Sequence, residues 1–156
     1  MITNRYGEKE NSMPLEVLLV EDSPGDIRLT KEAFHAVCPA IRFNVAIDGM
    51  EALAFLKREG VHADAPRPDL TLLDLNMPRM DGREVLARIK KDDSLKNLPV
   101  VILTTSDSDM DIARSYELHA NAYVCKPREL SEFEALVKSI YDFWLTTAKL
   151  PITHSS

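Results

Sequence analysis

Residues 70–82 read LTLLDLNMPRMDG. The first four, Leu70-Thr71-Leu72-Leu73, form an apolar run bounded by Pro68 on one side and a polar loop on the other. A short run of that kind predicts a strand buried on both faces. Asp74 follows at once, so its carboxylate stands at the carboxyl end of the strand. In an open α/β sheet that edge is where ligands and chemistry gather. Asn76-Met77-Pro78-Arg79-Met80-Asp81-Gly82 is a polar loop carrying Pro and Gly, and a helical pattern begins at Arg83. A lone acid after a strand is more often a helix cap or a solvated loop residue, so the meaning of Asp74 depends on the rest of the chain.

At 156 residues the chain is long enough for one domain with a substantial core. Its 19 basic and 25 acidic residues give a formal charge of −6, and no Lys/Arg cluster or basic–aromatic patch appears. That composition excludes a nucleic-acid surface. No apolar run is long enough to span a membrane, and no signal peptide is visible. Cys38 and Cys125 are far apart and have no CxxC partner, as expected of reduced thiols in a cytoplasmic protein. The histidines, His35, His62, His119 and His154, make no metal-ligand spacing.

Outward from the central strand, the chain reads as strands alternating with helices. Residues 1–14 are polar and unpatterned, a flexible leader. Residues 16–20 form a buried strand ended by Glu21-Asp22. Ser23-Pro24 predicts an N-cap followed by Pro at the first helical position, and the helix runs to Cys38-Pro39. Residues 41–46 alternate as a second strand, and Asp48-Gly49 turns into a helix through Lys57. Residues 59–68, with Gly60, Pro66 and Pro68, read as a surface loop. Beyond the central strand come a helix over 83–91, a strand over 99–103 ended by Thr104-Thr105-Ser106, and a helix over 109–118. A short strand over 122–125, ended by Lys126-Pro127, and a last helix over 130–148 complete the domain. Residues 149–156 are a tail. Five such pairs predict a doubly wound parallel sheet with right-handed crossovers and strand order 2-1-3-4-5.

The residues that terminate the strands carry the chemistry. Strand one ends in Glu21-Asp22, strand three in Asp74, strand four in Thr104 and strand five in Lys126. In that strand order they converge on one edge. Three packed carboxylates repel, and one would protonate unless a cation relieves them. A set of oxygen ligands suits a hard divalent ion, and Mg²⁺ keeps waters and favours phosphate groups. A hard cation, a free carboxylate oxygen, a hydroxyl and an ammonium are the parts needed for in-line attack by Asp74 on a phosphoryl group, giving an aspartyl phosphate.

These residues resemble the receiver domain of two-component response regulators. Thr104 lies 30 positions and Lys126 52 positions after Asp74, as in that family. Residues 74–82 look like its phosphorylation loop, Lys126-Pro127 like its Lys followed by a cis Pro, and Tyr123 falls where it has a switch aromatic. The resemblance covers residues 15 to about 143 and implies a flavodoxin-like (βα)5 fold. It also implies Asp74 as phospho-acceptor, with Asp22 and Asp74 as metal carboxylates. Glu21 would act on the metal through water and Asn76 would offer its backbone carbonyl. Thr104 would be the switch hydroxyl, and Lys126 would contact the phosphoryl group. Glu21 stands where many members carry Asp, and Thr105 where many carry Ala; the latter narrows access to the phosphoryl group. The loop over 59–68 is also longer. Glu21-Asp22-Ser23-Pro24-Gly25-Asp26-Ile27-Arg28-Leu29 and Phe143-Trp144-Leu145 resemble the stand-alone regulators of cyanobacterial and bacterial phytochromes. The partner expected is therefore a histidine kinase, a phytochrome among the possibilities, with signalling by docking because no output domain follows.

Two rival readings differ in class. A phosphohydrolase of the haloacid dehalogenase type also uses an Asp after a strand, but it wants a second Asp two residues on, where this chain has Asn76. A flavin carrier would place Gly, Ser and Thr after strand one, where this chain has Glu21-Asp22. In the last helix, Leu130, Phe133, Leu136, Val137, Ile140, Tyr141, Phe143, Trp144 and Ala148 fill an arc of roughly 160°, wider than the ~100° that packing on a sheet explains. The aromatic excess predicts a homodimer interface; folding of the aromatics onto the chain's own tail is the alternative.

Overall fold

Val17, Leu18, Leu19 and Val20 are each at most 2% exposed, although successive strand side chains point to opposite faces. A strand buried on both sides needs a layer of helices on each. The computed structural model describes residues 14–151, and in it β1 (Glu16–Val20), α1 (Pro24–Val37), β2 (Arg42–Ala46), α2 (Gly49–Lys57), β3 (Leu70–Leu73), α3 (Gly82–Lys91), β4 (Val100–Thr104), α4 (Asp109–Glu117), β5 (Ala122–Cys125) and α5 (Leu130–Asp142) follow one another. The strands make one parallel sheet in the order β2-β1-β3-β4-β5, as the alternation predicts. All but a few residues of the expected leader lie outside the described residues, as does the end of the expected tail.

The period of two sorts the core. Leu18, Val20, Leu73, Leu75 and Ile102 pack with Leu56, Val85, Leu86 and Ile89 from α2 and α3. Val17, Leu19, Leu70, Leu72, Val101 and Leu103 pack on the other face with Phe34, Phe133, Val137 and Ile140 from α1 and α5. The edge strands β2 and β5 are only partly buried.

Side-chain caps start four of the five helices, and α5 begins without one. Ser23 Oγ accepts the Asp26 N–H at 3.3 Å and Pro24 follows the cap. Asp48 caps α2 through the Glu51 N–H at 2.8 Å, while the Glu51 carboxylate reaches back to the Ile47 N–H at 2.9 Å. Asp81 caps α3 through the N–H groups of Arg83 and Glu84, and Ser108 caps α4 through that of Asp111. Such side-chain oxygens satisfy N–H groups that have no partner inside the helix. The expected loop over 59–68 carries one 3₁₀ turn, Gly60–His62, and Arg58 ties it down through the Ala65 carbonyl at 2.9 Å.

The last helix departs from expectation. Its α-helical hydrogen bonding stops at Asp142, and Phe143–Thr147 form a π turn closed by the Ala148 N–H on the Phe143 carbonyl. The hydroxyls of Thr146 and Thr147 both donate to the Asp142 carbonyl. At about 100° per residue, Trp144 would fall within roughly 20° of Phe133 and Leu145 roughly 120° away. The wider turn changes that phase. Leu145 is 3% exposed and belongs to the core, whereas Trp144 is half-buried and packs beside it with Tyr141 and Leu150. Leu145 was absent from the predicted apolar arc because a uniform helical period was assumed.

Candidate functional site

Each candidate residue hangs from a backbone hydrogen bond at the sheet's carboxyl edge. The Glu21 N–H donates to the Ala46 carbonyl at 3.0 Å, the Asp74 N–H to the Val20 carbonyl at 3.0 Å, and the Lys126 N–H to the Thr104 carbonyl at 2.7 Å. The ladder thus carries one residue past the strand ends and turns these side chains out of the core. Parallel pairing places all of them on one edge, because β1, β3, β4 and β5 are consecutive neighbours.

Among the described residues, Glu21, Asp22 and Asp74 bring carboxylate oxygens within 4.8 Å of one another. Glu21 and Asp74 are buried and Asp22 is exposed, which leaves the cluster open on one side. Oxygen donors without nitrogen or sulfur fit a hard divalent cation that keeps part of its water. Both Glu21 oxygens already have partners: Oε2 accepts the Ser23 N–H at 3.2 Å and Oε1 the Lys126 ammonium at 2.5 Å. Asn76 is tied in by its N–H to Asp74 Oδ1 at 3.4 Å.

Lys126 supplies the compensating charge. Its ammonium also meets Asp26 Oδ2 at 3.0 Å and lies 3.9 Å from Asp74 Oδ2, with the side chain 8% exposed. Burial works against that charge, but the hydrogen bond and charge of Glu21, with Asp26 and Asp74 behind them, push the Lys126 pKa up. It therefore stays protonated through the physiological range. Burial raises the Glu21 carboxyl, and Lys126 offsets that only in part.

Thr104 is fully buried and its hydroxyl has no hydrogen-bond partner. Thr71 and Ser115 share that condition, but neither stands at a strand end beside the acids. A buried hydroxyl without a partner costs about 1–3 kcal/mol. Two residues on, Ser106 gathers three side chains. Its hydroxyl donates to Asp111 at 2.6 Å, and its carbonyl accepts Tyr123 Oη at 3.0 Å and Cys125 Sγ at 3.3 Å. Asp111 in turn takes Arg83 Nη2 at 2.6 Å. Ser106 and then Arg83 hold the Asp111 carboxyl below its usual range against the cost of burial. The Tyr123 hydroxyl, carried by β5, is thereby tied to the loop that follows Thr104.

A second contact steadies the Asp74 loop. Arg79, in the left-handed region at φ 66°, hydrogen-bonds Asp48 at the start of α2. Burial opposes ionisation of Asp48, but the Glu51 N–H and the Arg79 guanidinium keep its carboxyl below the usual range. Sequence reasoning identified Asp48 only as a turn, and it missed Asp26, Arg79, Ser106 and Asp111. Capping positions offered the only signal for any of these. One expectation is corrected: no peptide bond among the described residues is cis, so the Lys126–Pro127 bond is trans. The two X–Pro isomers differ by only about 0.5–1 kcal/mol, and the dipeptide alone does not choose between them.

A doubly wound sheet that presents three acids, a hydroxyl and a lysine on its carboxyl edge is built as a receiver of phosphoryl groups. Residues 17–138 match the response regulator receiver domain, and the chain belongs to that family. It is 46% identical over 142 residues to the response regulator Rcp1 of Synechocystis sp., covering 91% of this chain and 97% of that protein. Among solved structures it is similar to the phosphorylated cyanobacterial phytochrome response regulator RcpA, at 51% identity and TM-score 0.85, over 88% of this chain and 99% of that one. The Mn²⁺-bound form of Rcp1 is similar at 47% identity and TM-score 0.83, with the same two coverages. The resemblance to regulators of phytochromes is thus borne out, and the haloacid dehalogenase reading has no support.

Proposed function

We propose that residues 15–148 form a receiver that takes a phosphoryl group from a histidine kinase onto Asp74, in the cytoplasm and with Mg²⁺ as the cation. The observation that carries this reading is Lys126 at 3.9 Å from Asp74 Oδ2 beside three carboxylates that converge within 4.8 Å. An Asp74 oxygen attacks the phosphorus of a phosphohistidine. The P–N bond breaks, its electron pair returns to the imidazole, and an acyl phosphate forms. Bound Mg²⁺ would neutralise charge on the acids and the phosphoryl oxygens. Asp22 and Asp74 would hold it directly and Asn76 through its carbonyl. Glu21 would act through water, which suits a carboxylate whose two oxygens are already engaged. Lys126 meets a phosphoryl oxygen. Phosphorylation and its hydrolysis would be the chain's only catalysis. The similarity to RcpA and Rcp1 supports a phytochrome as the kinase. Acetyl phosphate with Mg²⁺ should add one phosphoryl group by intact mass, and EDTA should prevent it.

The switch follows from Thr104. A phosphoryl oxygen on Asp74 offers its buried hydroxyl a partner, draws the loop inward, and shifts the Ser106 carbonyl that holds Tyr123. Thr104→Val keeps the shape and removes the hydroxyl. Unphosphorylated Thr104→Val should gain about 1 kcal/mol in stability. Its labelling should stay within about threefold of wild type, because the hydroxyl does not attack. The phosphorylation-dependent NMR shifts over residues 107–118 should disappear. Persistence of those shifts would refute the switch.

We further propose that the last helix, with β5 and α4, meets a second copy of this chain. Met110, Tyr116, Leu130 and Phe143 are 82%, 48%, 55% and 53% exposed there. Phe143 also stacks edge-on against Trp144, with centroids 5.4 Å apart. Sedimentation should show a species of twice 17.6 kDa at high micromolar concentration. Phe143→Ala should weaken it about tenfold without changing labelling of Asp74. A monomer at that concentration, phosphorylated or not, would remove the dimer.

A further inference from the structure

Lys126 has three N–H donors, and the structure shows where two of them go. One meets Glu21 Oε1 at 2.5 Å and one meets Asp26 Oδ2 at 3.0 Å. Asp74 Oδ2, at 3.9 Å, is too far for a hydrogen bond. That gap leaves the acceptor oxygen free and leaves room for a phosphoryl oxygen beside the ammonium.

Glu21 belongs to the three-carboxylate group that can hold a cation, and Asp26 does not. When Glu21 turns to a cation and its water, Asp26 is the carboxylate that still holds the ammonium back. Asp26 is well placed for this. It sits in the first turn of α1, with its N–H on Ser23 Oγ and the Ile27 N–H on the Ser23 carbonyl at 2.9 Å. The carboxylate therefore reaches Lys126 from a rigid helix start. It also lines a cavity of about 350 Å³ together with Thr105, Lys126 and Pro127, which leaves open space beside the ammonium.

We propose that Asp26 is a positioning residue for phosphoryl acceptance: it holds the Lys126 ammonium clear of Asp74, so that the nucleophilic oxygen stays unpaired and one N–H waits for the incoming phosphoryl oxygen. Without Asp26 the freed donor has Asp74 as the nearest unshared carboxylate. The ammonium closes on it, and an ion pair then blocks the attack. The inference rests on Asp74 being the phospho-acceptor.

Asp26→Ala and Asp26→Glu test it, with acetyl phosphate and saturating Mg²⁺ for the rate. NMR of the Lys126 ammonium in EDTA serves as a signature independent of phosphorylation, and an NMR titration with Mg²⁺ gives the metal affinity. In Asp26→Ala the initial rate should fall about tenfold, the scale of a misplaced catalytic group. The ammonium signal should move, and Mg²⁺ affinity should stay within about twofold because Asp26 is outside the cation group. Asp26→Glu should recover most of the rate. A wild-type rate in Asp26→Ala overturns the proposal, whether or not the ammonium signal moves. So does a fall in Mg²⁺ affinity parallel to the fall in rate, which would make Asp26 a cation ligand. Failure of the underlying assignment looks different: Asp74→Asn would still be labelled, while the ammonium signal would report the Asp26 contact unchanged.

Discussion

Asp74→Asn should lose labelling by acetyl phosphate by about 10³-fold or more, while the protein becomes more stable in EDTA. The first effect is removal of the nucleophile: a neutral amide oxygen does not form an acyl phosphate, and other groups in the site only assist. The second follows from crowding. Asp74 lies within 4.8 Å of two other carboxylates, and Lys126 at 3.9 Å is shared among Glu21, Asp26 and Asp74. Deleting one charge relieves two repulsions and forfeits one longer attraction. At an effective dielectric near 20 the balance is about 3 kcal/mol in favour of the variant. Added Mg²⁺ should reverse the order, since the wild type then binds the cation more tightly and is stabilised by mass action. Intact mass reads the first effect, and thermal unfolding in EDTA and in Mg²⁺ reads the second. Normal labelling of Asp74→Asn would move the acceptor elsewhere. Equal melting temperatures in EDTA would mean that Asp74 is not crowded by the other two acids.

Gly82→Ala should be the most damaging single methyl in the chain. Gly82 begins α3, and its N–H donates to the Leu75 carbonyl at 2.8 Å. A Cβ there would lie 2.2 Å from the Asp74 carbonyl oxygen and 2.8 Å from Leu75 Cα. Both are backbone atoms, so no side chain can swing away. Either α3 retreats from the sheet or the Asp74–Leu75 peptide moves, and with it the nucleophile. Overpacking of this kind costs about 3 kcal/mol, a fall in melting temperature of roughly 6–12 °C for a domain of this size. Labelling of Asp74 should fall together with stability, because the same peptide carries both. Gly25→Ala is the control. Nothing lies within 4 Å of its added Cβ in the first turn of α1, and Ala should be neutral or mildly stabilising there. An unfolding midpoint for Gly82→Ala within about 2 °C of wild type would refute the close packing of α3 on the Asp74–Leu75 peptide.

Much of the fold and of the site is legible in the amino-acid sequence. Apolar runs of four or five residues, each closed by an acid, a hydroxyl or a lysine, specify strands and at once specify what stands at their ends. Parallel order then brings Glu21, Asp22, Asp74, Thr104 and Lys126 to one edge, because the period of the chain leaves a buried sheet few other ways to be wound. The cap at Ser23 was legible for the same reason: its effect reaches only three residues along the chain. Contacts between residues far apart in sequence were not legible. Asp26 reads as an ordinary acid in a first turn until folding places Lys126, 100 residues later, at 3.0 Å from it. Arg79 and Asp48, or Ser106, Asp111 and Tyr123, likewise meet only once α2, α3, α4 and β5 have been set against the sheet. The end of the last helix shows the limit from the other side. A uniform helical period leaves Leu145 off the apolar arc, whereas the π turn, with two threonine hydroxyls on the Asp142 carbonyl, places Leu145 in the core. The sequence by itself determined the strands and the chemistry at their ends, because those follow from local periodicity and burial. The tertiary structure alone decided which charges share Lys126, because ion pairing depends on distances that no spacing along the chain encodes.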